Sequence, residues 1–354
     1  MSEIYFQSDD KSFTLYHGDC LDVLPRLVTT FGDAYADLVF ADPPYYLSND
    51  GITCQSGKMV SVNKGGWDKS NGPTEDHAMV KNWLKAARDA MKPDATIWIT
   101  GTMHIIYNIG FALQELHFKL LNDIVWVKPA PPPNLACRTF THTTEIVLWA
   151  ARNDGLVKGE KKSKYVFNYP EMKRQNGGKQ MRSFWGQPPS DEELLWLPPS
   201  ERVGVEFNST REDGTSANVF ASSPPMHRAD LKSAPTQPDD SRKRPSDRNV
   251  QRTEETTPNI FEIGAPRSDE KKFGKHPTQK PMALLRRIIE AGSNPGQMVV
   301  DPFNGTGATG IMAAMLGRKY IGVESNEEYL EITRKRYLEA CNNMNERFYF
   351  NKDK

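Results

Sequence analysis

Short apolar runs and stretches of helical period take turns along this chain. From residue 13 to about 151 the alternation is the kind that builds a parallel sheet covered by helices. Ala36 to Phe40 (ADLVF) predicts a buried strand ending at Asp42-Pro-Pro. His77 to Ala90 predicts a helix that Lys92-Pro93 stops, because the residue before a proline avoids helical geometry. Strands are also predicted over 95–100, 122–127 and 144–150, with a helix over 105–116. After a long interruption the pattern resumes with a helix over 282–291, a strand over 298–301, a helix over 307–316, a strand over 320–324 and a final helix from 327 to about 343. The class expected is α/β, a doubly wound, mostly parallel sheet.

The interruption has its own texture. Lys158, Lys161, Lys162, Lys164, Lys173, Arg174, Lys179 and Arg182 make residues 152–182 a local basic patch with few acids. From about Asn208 to Pro258 the composition is Ser, Thr, Pro, Asp, Arg and Lys. So little apolar surface cannot offset the entropy of ordering, which predicts a long mobile loop. The organisation expected is 1–151 and 271–354 as two halves of one α/β domain, with 152–270 inserted between them.

Charge and composition narrow the function. The 45 basic residues balance 45 acidic ones, so a polyanion would have to be held by a local patch rather than by the whole surface. No apolar run approaches the roughly 18 residues of a membrane span, and MSEIYFQSDDK lacks a basic segment followed by an apolar one. A soluble, intracellular protein is expected. Cys20, Cys54, Cys137 and Cys341 form no CxxC pair, which argues against a disulfide framework and against a cysteine metal site.

Two segments carry candidate chemistry. Gly305, Gly307 and Gly310 follow the strand Met298 to Asp301 and open a helix, so the backbone can approach a ligand closely and offer it the first helical N–H groups. Glu324 ends the next strand about 20 residues on, where a carboxylate accepts hydrogen bonds from ribose hydroxyls. A dinucleotide domain would need further strands, and only 30 residues follow Glu324. Asp301, at the mouth of the turn, would repel a pyrophosphate and suit a cationic cofactor such as S-adenosylmethionine. The bland alternative is a glycine turn that only packs helix on strand.

The second segment is Asp42-Pro43-Pro44-Tyr45, set at the end of a buried strand, where open α/β sheets bind ligands. It suits methylation of an exocyclic base amine, whose lone pair is delocalised into the ring. Asp42 and the Pro43 carbonyl each accept one N–H, which frees the lone pair for attack on a methyl sulfonium. Tyr45 would stack on a base flipped from its helix. A rigid strand-to-loop turn is the alternative.

Together the two segments resemble the amino-methylating DNA methyltransferases of the permuted β group, in which the catalytic D/S-P-P-Y/W precedes a target-recognition region and F-x-G-x-G comes last. Here Asp42 to Tyr45 and Phe303-Asn304-Gly305-Thr306-Gly307 keep that order. The resemblance covers roughly 13–151 and 270–343. It implies S-adenosylmethionine as cofactor, His276, Thr278 and Lys280 of His276-Pro-Thr-Gln-Lys-Pro281 around its methionine end, and Gly18-Asp19-Cys20 beside its adenine. Asp19 is equally readable as a helix N-cap. Asp at position 42 is usual for adenine N6, and the run Tyr46 to Asp68 is most similar to the second, single-strand-tolerant adenine methyltransferase of GATC restriction systems. Trp67-Asp68 reads mainly as a loop anchor.

The partner implied is DNA, double- or single-stranded, in the bacterial or phage cytoplasm at the nucleoid, and a homodimer is admitted because relatives often pair. The patch Lys158 to Arg182, interleaved with Tyr165, Phe167, Tyr169, Phe184 and Trp185, is the candidate grip on phosphates and bases, or else a solvated surface over a small core. Competing functions are cytosine-N4 methylation, a non-catalytic DNA-binding module and an NAD-dependent oxidoreductase.

Overall fold

The computed structural model describes residues 3–46, 52–55, 58–61, 68–128, 131, 138–152, 165–186, 208–210, 216–218, 263–274 and 276–350. The elements, in chain order, begin with strands β1 (Glu3–Gln7) and β2 (Phe13–His17), helix α1 (Cys20–Phe31), β3 (Ala36–Ala41) and a short hairpin of β4 (Ile52–Gln55) and β5 (Lys58–Ser61). Next come α2 (Pro73–Ala90), β6 (Met91–Gly101), α3 (Ile106–Glu115), β7 (Phe118–Val127), β8 (Thr144–Arg152), α4 (Tyr169–Gln175) and β9 (Phe184–Trp185). After β10 (Asn208–Thr210) and β11 (Ser216–Asn218) come α5 (Met282–Gly292), β12 (Met298–Asp301), α6 (Ala308–Met315), β13 (Lys319–Glu324) and α7 (Glu327–Phe350).

Among the described residues nine strands form one sheet in the order β1-β2-β13-β12-β3-β6-β8-β7-β9. The five from β2 to β6 are mutually parallel, and β8 runs antiparallel to both neighbours. This is the mostly parallel α/β sheet expected. The last two strands of the chain lie between β2 and β3, which precede them by more than half its length.

Both faces of the sheet are covered, which is why its strands read as continuous apolar runs. In β3, Ala36, Val39 and Ala41 face the layer of α1, α2 and α3, while Leu38 and Phe40 face the layer of α5, α6 and α7. In β6, Ile97 and Ile99 turn one way and Trp98 the other, where its indole stacks on Trp149 at 4.7 Å.

Helix α2 ends at Ala90, and the chain enters β6 at once, so Lys92-Pro93 lies inside a strand rather than in a linker. The ladder to β3 slips there: Ala36 pairs with Met91 but Leu38 with Thr96. A residue with no N–H is accommodated by leaving the ladder irregular around it. Strand β7 likewise starts earlier than expected, at Phe118. Its first half mixes the exposed Lys119 and Asn122 with Phe118, Leu120 and Leu121 and so gives no unbroken apolar run.

The chain separates into two compact units, Met1–Gln187 with Ile260–Lys354 and Pro188–Asn259. In the second, β10 and β11 form an antiparallel hairpin, Asn208 facing Asn218, which the polar composition did not predict. The remainder of the loop expected over 208–258 lies outside the described residues. Among the described residues no helix is long and apolar enough to cross a membrane.

Candidate active site

Because β2, β13, β12 and β3 are parallel, their carboxyl ends share one edge, and that edge holds the candidate residues. The Gly18 N–H donates to the Glu324 carbonyl at 3.0 Å and ties the ends of β2 and β13 together. A cavity of about 350 Å³ opens there, lined by Asp19, Asp42, Lys280, Asp301, Gly305 and Glu324 among others. The acidic loop and the glycine turn, far apart in sequence, thus meet in one crevice.

The turn after β12 is fixed from several sides. Gly305 and Gly307 have φ of 50° and 75°, the left-handed region that glycine enters without steric cost, and a methyl group on Gly307 would overlap Thr333 Cγ2. Asn304 accepts from the Tyr320 hydroxyl at 2.9 Å and donates to Thr333 Oγ1 at 3.0 Å. The buried Arg336 guanidinium donates to the Thr306 carbonyl at 2.6 Å. The Thr306 hydroxyl reaches Gln279 Oε1 at 3.2 Å, linking the turn to the His276 segment. The Gly305 N–H donates to Glu324 Oε2. Burial raises the Glu324 pKa against the opposing pull of the Asn326 and Gly305 N–H groups. Asp301 accepts the Phe303 N–H at 2.9 Å, and burial pushes its carboxyl up to about 7.

Part of the wall is apolar and aromatic. Met79 and Trp83 of α2 line the cavity, and Trp83 meets Phe303 edge to face at 5.3 Å. His276 packs against Tyr329 and lies 3.0 Å by Nδ1 from the Thr278 hydroxyl. An apolar slot with acceptors at Asp19 and Glu324 and a carboxyl at Asp301 fits a nucleoside that carries positive charge. Asp19 also caps α1, accepting the Leu21 N–H at 2.8 Å, so it is a helix cap whose side chain borders the cavity. The Cys20 thiol is buried, which pushes its pKa up and leaves it an inert packing group.

Asp42 is the centre of a second cluster. Its Oδ1 accepts from Lys280 Nζ at 2.7 Å, the Tyr45 hydroxyl at 2.8 Å and the Thr100 hydroxyl at 2.6 Å. Its Oδ2 accepts from Lys280 at 2.7 Å. Lys280 is almost fully buried. Burial alone would lower its pKa, but the charges of Asp42 and Glu145 outweigh that and hold the ammonium above its ordinary value. Glu145, at the start of β8, stands 3.8 Å from Lys280 and 3.4 Å from the Tyr45 hydroxyl, and its other oxygen pairs with Lys128. The four charges alternate in sign: Lys128, Glu145, Lys280, Asp42.

Tyr45 is placed differently from a stacking platform. Its ring is 4% exposed and its N–H is held by the buried Asp68 at 3.0 Å, so Asp68 anchors this loop. Tyr46, with φ of 56°, and Pro44 line the cavity instead, while Pro43 is buried. Sequence reasoning missed Glu145, Thr100, Lys128, Met79 and Trp83. A glutamate inside the apolar run of β8 was the one visible signal.

The basic patch is only partly described. Lys158, Lys161, Lys162, Lys164 and Trp67 lie outside the described residues. Lys173 and Arg174 sit on α4, which Asn168 ties to the Glu290 and Ser293 carbonyls at the end of α5 opposite Lys280. Arg174 donates through Nε and Nη2 to the two carboxylate oxygens of Glu171. Lys179 and Arg182 are exposed. Of the interleaved aromatics, Tyr165, Phe167 and Trp185 pack around the Trp98–Trp149 stack, and Phe184 is half exposed. None of the four described basic residues lines the crevice.

Residues 36–335 match the N6/N4 DNA methylase family. The chain belongs to that family. Family members transfer the methyl group of S-adenosylmethionine, and the resemblance drawn from the two sequence segments holds. The Type II methyltransferase M2.DpnII of Streptococcus pneumoniae is 38% identical over 345 residues, 98% of this chain and 96% of its own length. M2.MboI of Moraxella bovis is 35% identical over 335 residues, covering 95% and 91%. Among solved structures, the cytosine-N4-specific PvuII DNA methyltransferase aligns at a TM-score of 0.52 and 16% identity, covering 92% of this chain and 86% of its own. M1.HpyAVI aligns at 0.50 and 19%, covering 92% and 98%. These two proteins share the fold of the present chain.

Proposed function

We propose that this DNA methylase modifies the N6 amine of adenine in DNA, within a GATC-type restriction–modification system, and acts on single as well as double strands. Its setting is then a bacterial cytoplasm, and residues 152–270 supply target recognition. What supports the reading is that Asp42 shares a cavity with Gly305, Asp301 and Glu324, so a base amine held by Asp42 faces a cofactor held by the turn.

Glu324 would receive the ribose hydroxyls and Asp19 the adenine amine, and Asp301, His276 and Thr278 would hold the cationic end, since all five line the cavity. The bound cofactor supplies a methyl carbon made electrophilic by its sulfonium. Asp42 and the Pro43 carbonyl accept the two N–H groups of the target amine, pulling its nitrogen toward tetrahedral geometry. Held so, the nitrogen lone pair would be free to accept the methyl group that the cofactor would supply. The displaced proton leaves through the Asp42 carboxylate.

Mass analysis of nucleosides from unmethylated genomic DNA, after incubation with purified protein and labelled cofactor, tests the reading. N6-methyladenine supports it; N4-methylcytosine, or no methylated base in either strand state, overturns it. Asp42→Ala is expected to abolish transfer, by about 100-fold or more, while cofactor still binds.

A further inference from the structure

The donors around Asp42 leave a problem for any substrate. A carboxylate offers about four lone-pair sites, and in the structure both oxygens are engaged, Oδ1 by three donors and Oδ2 by Lys280. A target amine is left one lone pair of Oδ2, on an oxygen it must share with a buried ammonium, and displacing that ammonium into nothing would leave an unpaired buried charge.

Glu145 supplies the alternative. Lys128 holds its Oε1, which fixes the side chain and leaves Oε2 facing Lys280 at 3.8 Å. A shift of about 1 Å brings Lys280 Nζ within hydrogen-bond reach of that oxygen. The Thr278 carbonyl, 3.2 Å from Nζ, remains a pivot throughout. We propose that Glu145 is a positioning residue for the transfer: it provides a second carboxylate to which Lys280 moves, freeing an acceptor site on Asp42 for the target amine. Three donors and one buried positive charge are satisfied before and after. Glu145 is not among the residues lining the cavity and acts through Lys280.

This rests on the reading of Asp42 as the amine acceptor, and binding of two oligonucleotides separates the two claims. Full-length protein with S-adenosylhomocysteine is titrated with a single-stranded oligonucleotide carrying the methylated site, and with the same strand bearing purine, which lacks the amine, in place of the target adenine. The wild type is expected to prefer adenine by about tenfold, the scale of one charge-assisted hydrogen bond. No preference in the wild type overturns the Asp42 reading itself.

Given that preference, Glu145→Gln reduces it to about threefold or less while leaving the purine strand and S-adenosylhomocysteine bound as before, since a structural lesion would weaken both strands alike. In a Lys280→Met background the same substitution changes the preference no further. An unchanged preference in Glu145→Gln, or an equal loss with and without Lys280, overturns the proposal. Should Glu145→Gln fail to fold, Lys128→Met releases the Glu145 carboxylate instead. It must also lower the preference, and an unaltered preference there is equally fatal.

Discussion

The backbone N–H of Gly305 meets Glu324 Oε2 at 2.8 Å, and the Asn326 N–H meets Oε1 at 2.9 Å, so the carboxylate that ends β13 is aimed by the turn that precedes α6. Two such bonds hold it in one orientation toward the cavity. Glu324→Ala removes the acceptor and the clamp together. Cofactor affinity is expected to fall about tenfold to a hundredfold, the worth of one or two hydrogen bonds to a charged group. Glu324→Gln, which keeps one acceptor, should lose less. Isothermal titration with S-adenosylmethionine measures both.

Asp301 gives the site a pH dependence. Burial holds its carboxyl at about 7 in the free protein. A sulfonium or ammonium placed beside it favours the ionised form and lowers that value. Between the lowered and the free pKa, binding expels a proton, so affinity rises with pH and levels off above about 7. Asp301→Asn should flatten the profile and abolish the proton release, read as equal binding enthalpies in buffers of different ionisation heat. A wild-type affinity independent of pH between about 5 and 7 contradicts this.

Gly307 tests the packing of the turn. It is left-handed, and an added methyl would run into Thr333. Gly307→Ala is expected to cost about 1–3 kcal/mol from backbone strain, with overpacking in addition. Thermal melting should show the loss. Measured against Thr333→Ala alone, which loses the bond from Asn304, Gly307→Ala should cost less than it does in the wild type, because the contacts with Cγ2 and Oγ1 are gone while the strain remains.

The described part of the basic patch makes a graded prediction for DNA. Arg174, Lys179 and Arg182 are all exposed, but Arg174 is committed to Glu171. Lys179→Glu with Arg182→Glu should weaken DNA binding and lower the salt slope of log K by about 1 for each phosphate no longer neutralised. Arg174→Ala should change the slope by less. Equal effects from all three would disfavour this division.

Much of this was legible in the chain. Strands buried on both faces have to be apolar throughout, so ADLVF and MVVD announced themselves, and the glycine turn did so through backbone geometry that few other residues tolerate. What stayed hidden depended on partners distant in sequence. Asp19 could be read as a cap or as a ligand contact, and its carboxyl does cap α1 at the rim of the cavity. Tyr45 was expected to stack on a base, but a nearby Asp, a Glu from 100 residues away and a buried Asp68 hold it inward. Glu145 looked like one polar position in an apolar strand until folding set it beside Lys280. Pro93 misled in the other direction, since a ladder that slips can pass over a missing donor.

The arrangement of strands has a consequence for how the protein is made. Residues 298–324 fill the seam between 13–17 and 36–41. While the ribosome is still working through the middle of the message, those early strands have no common neighbour, and the crevice has no floor. A truncated product would carry Asp42 without the glycine turn that borders its cavity.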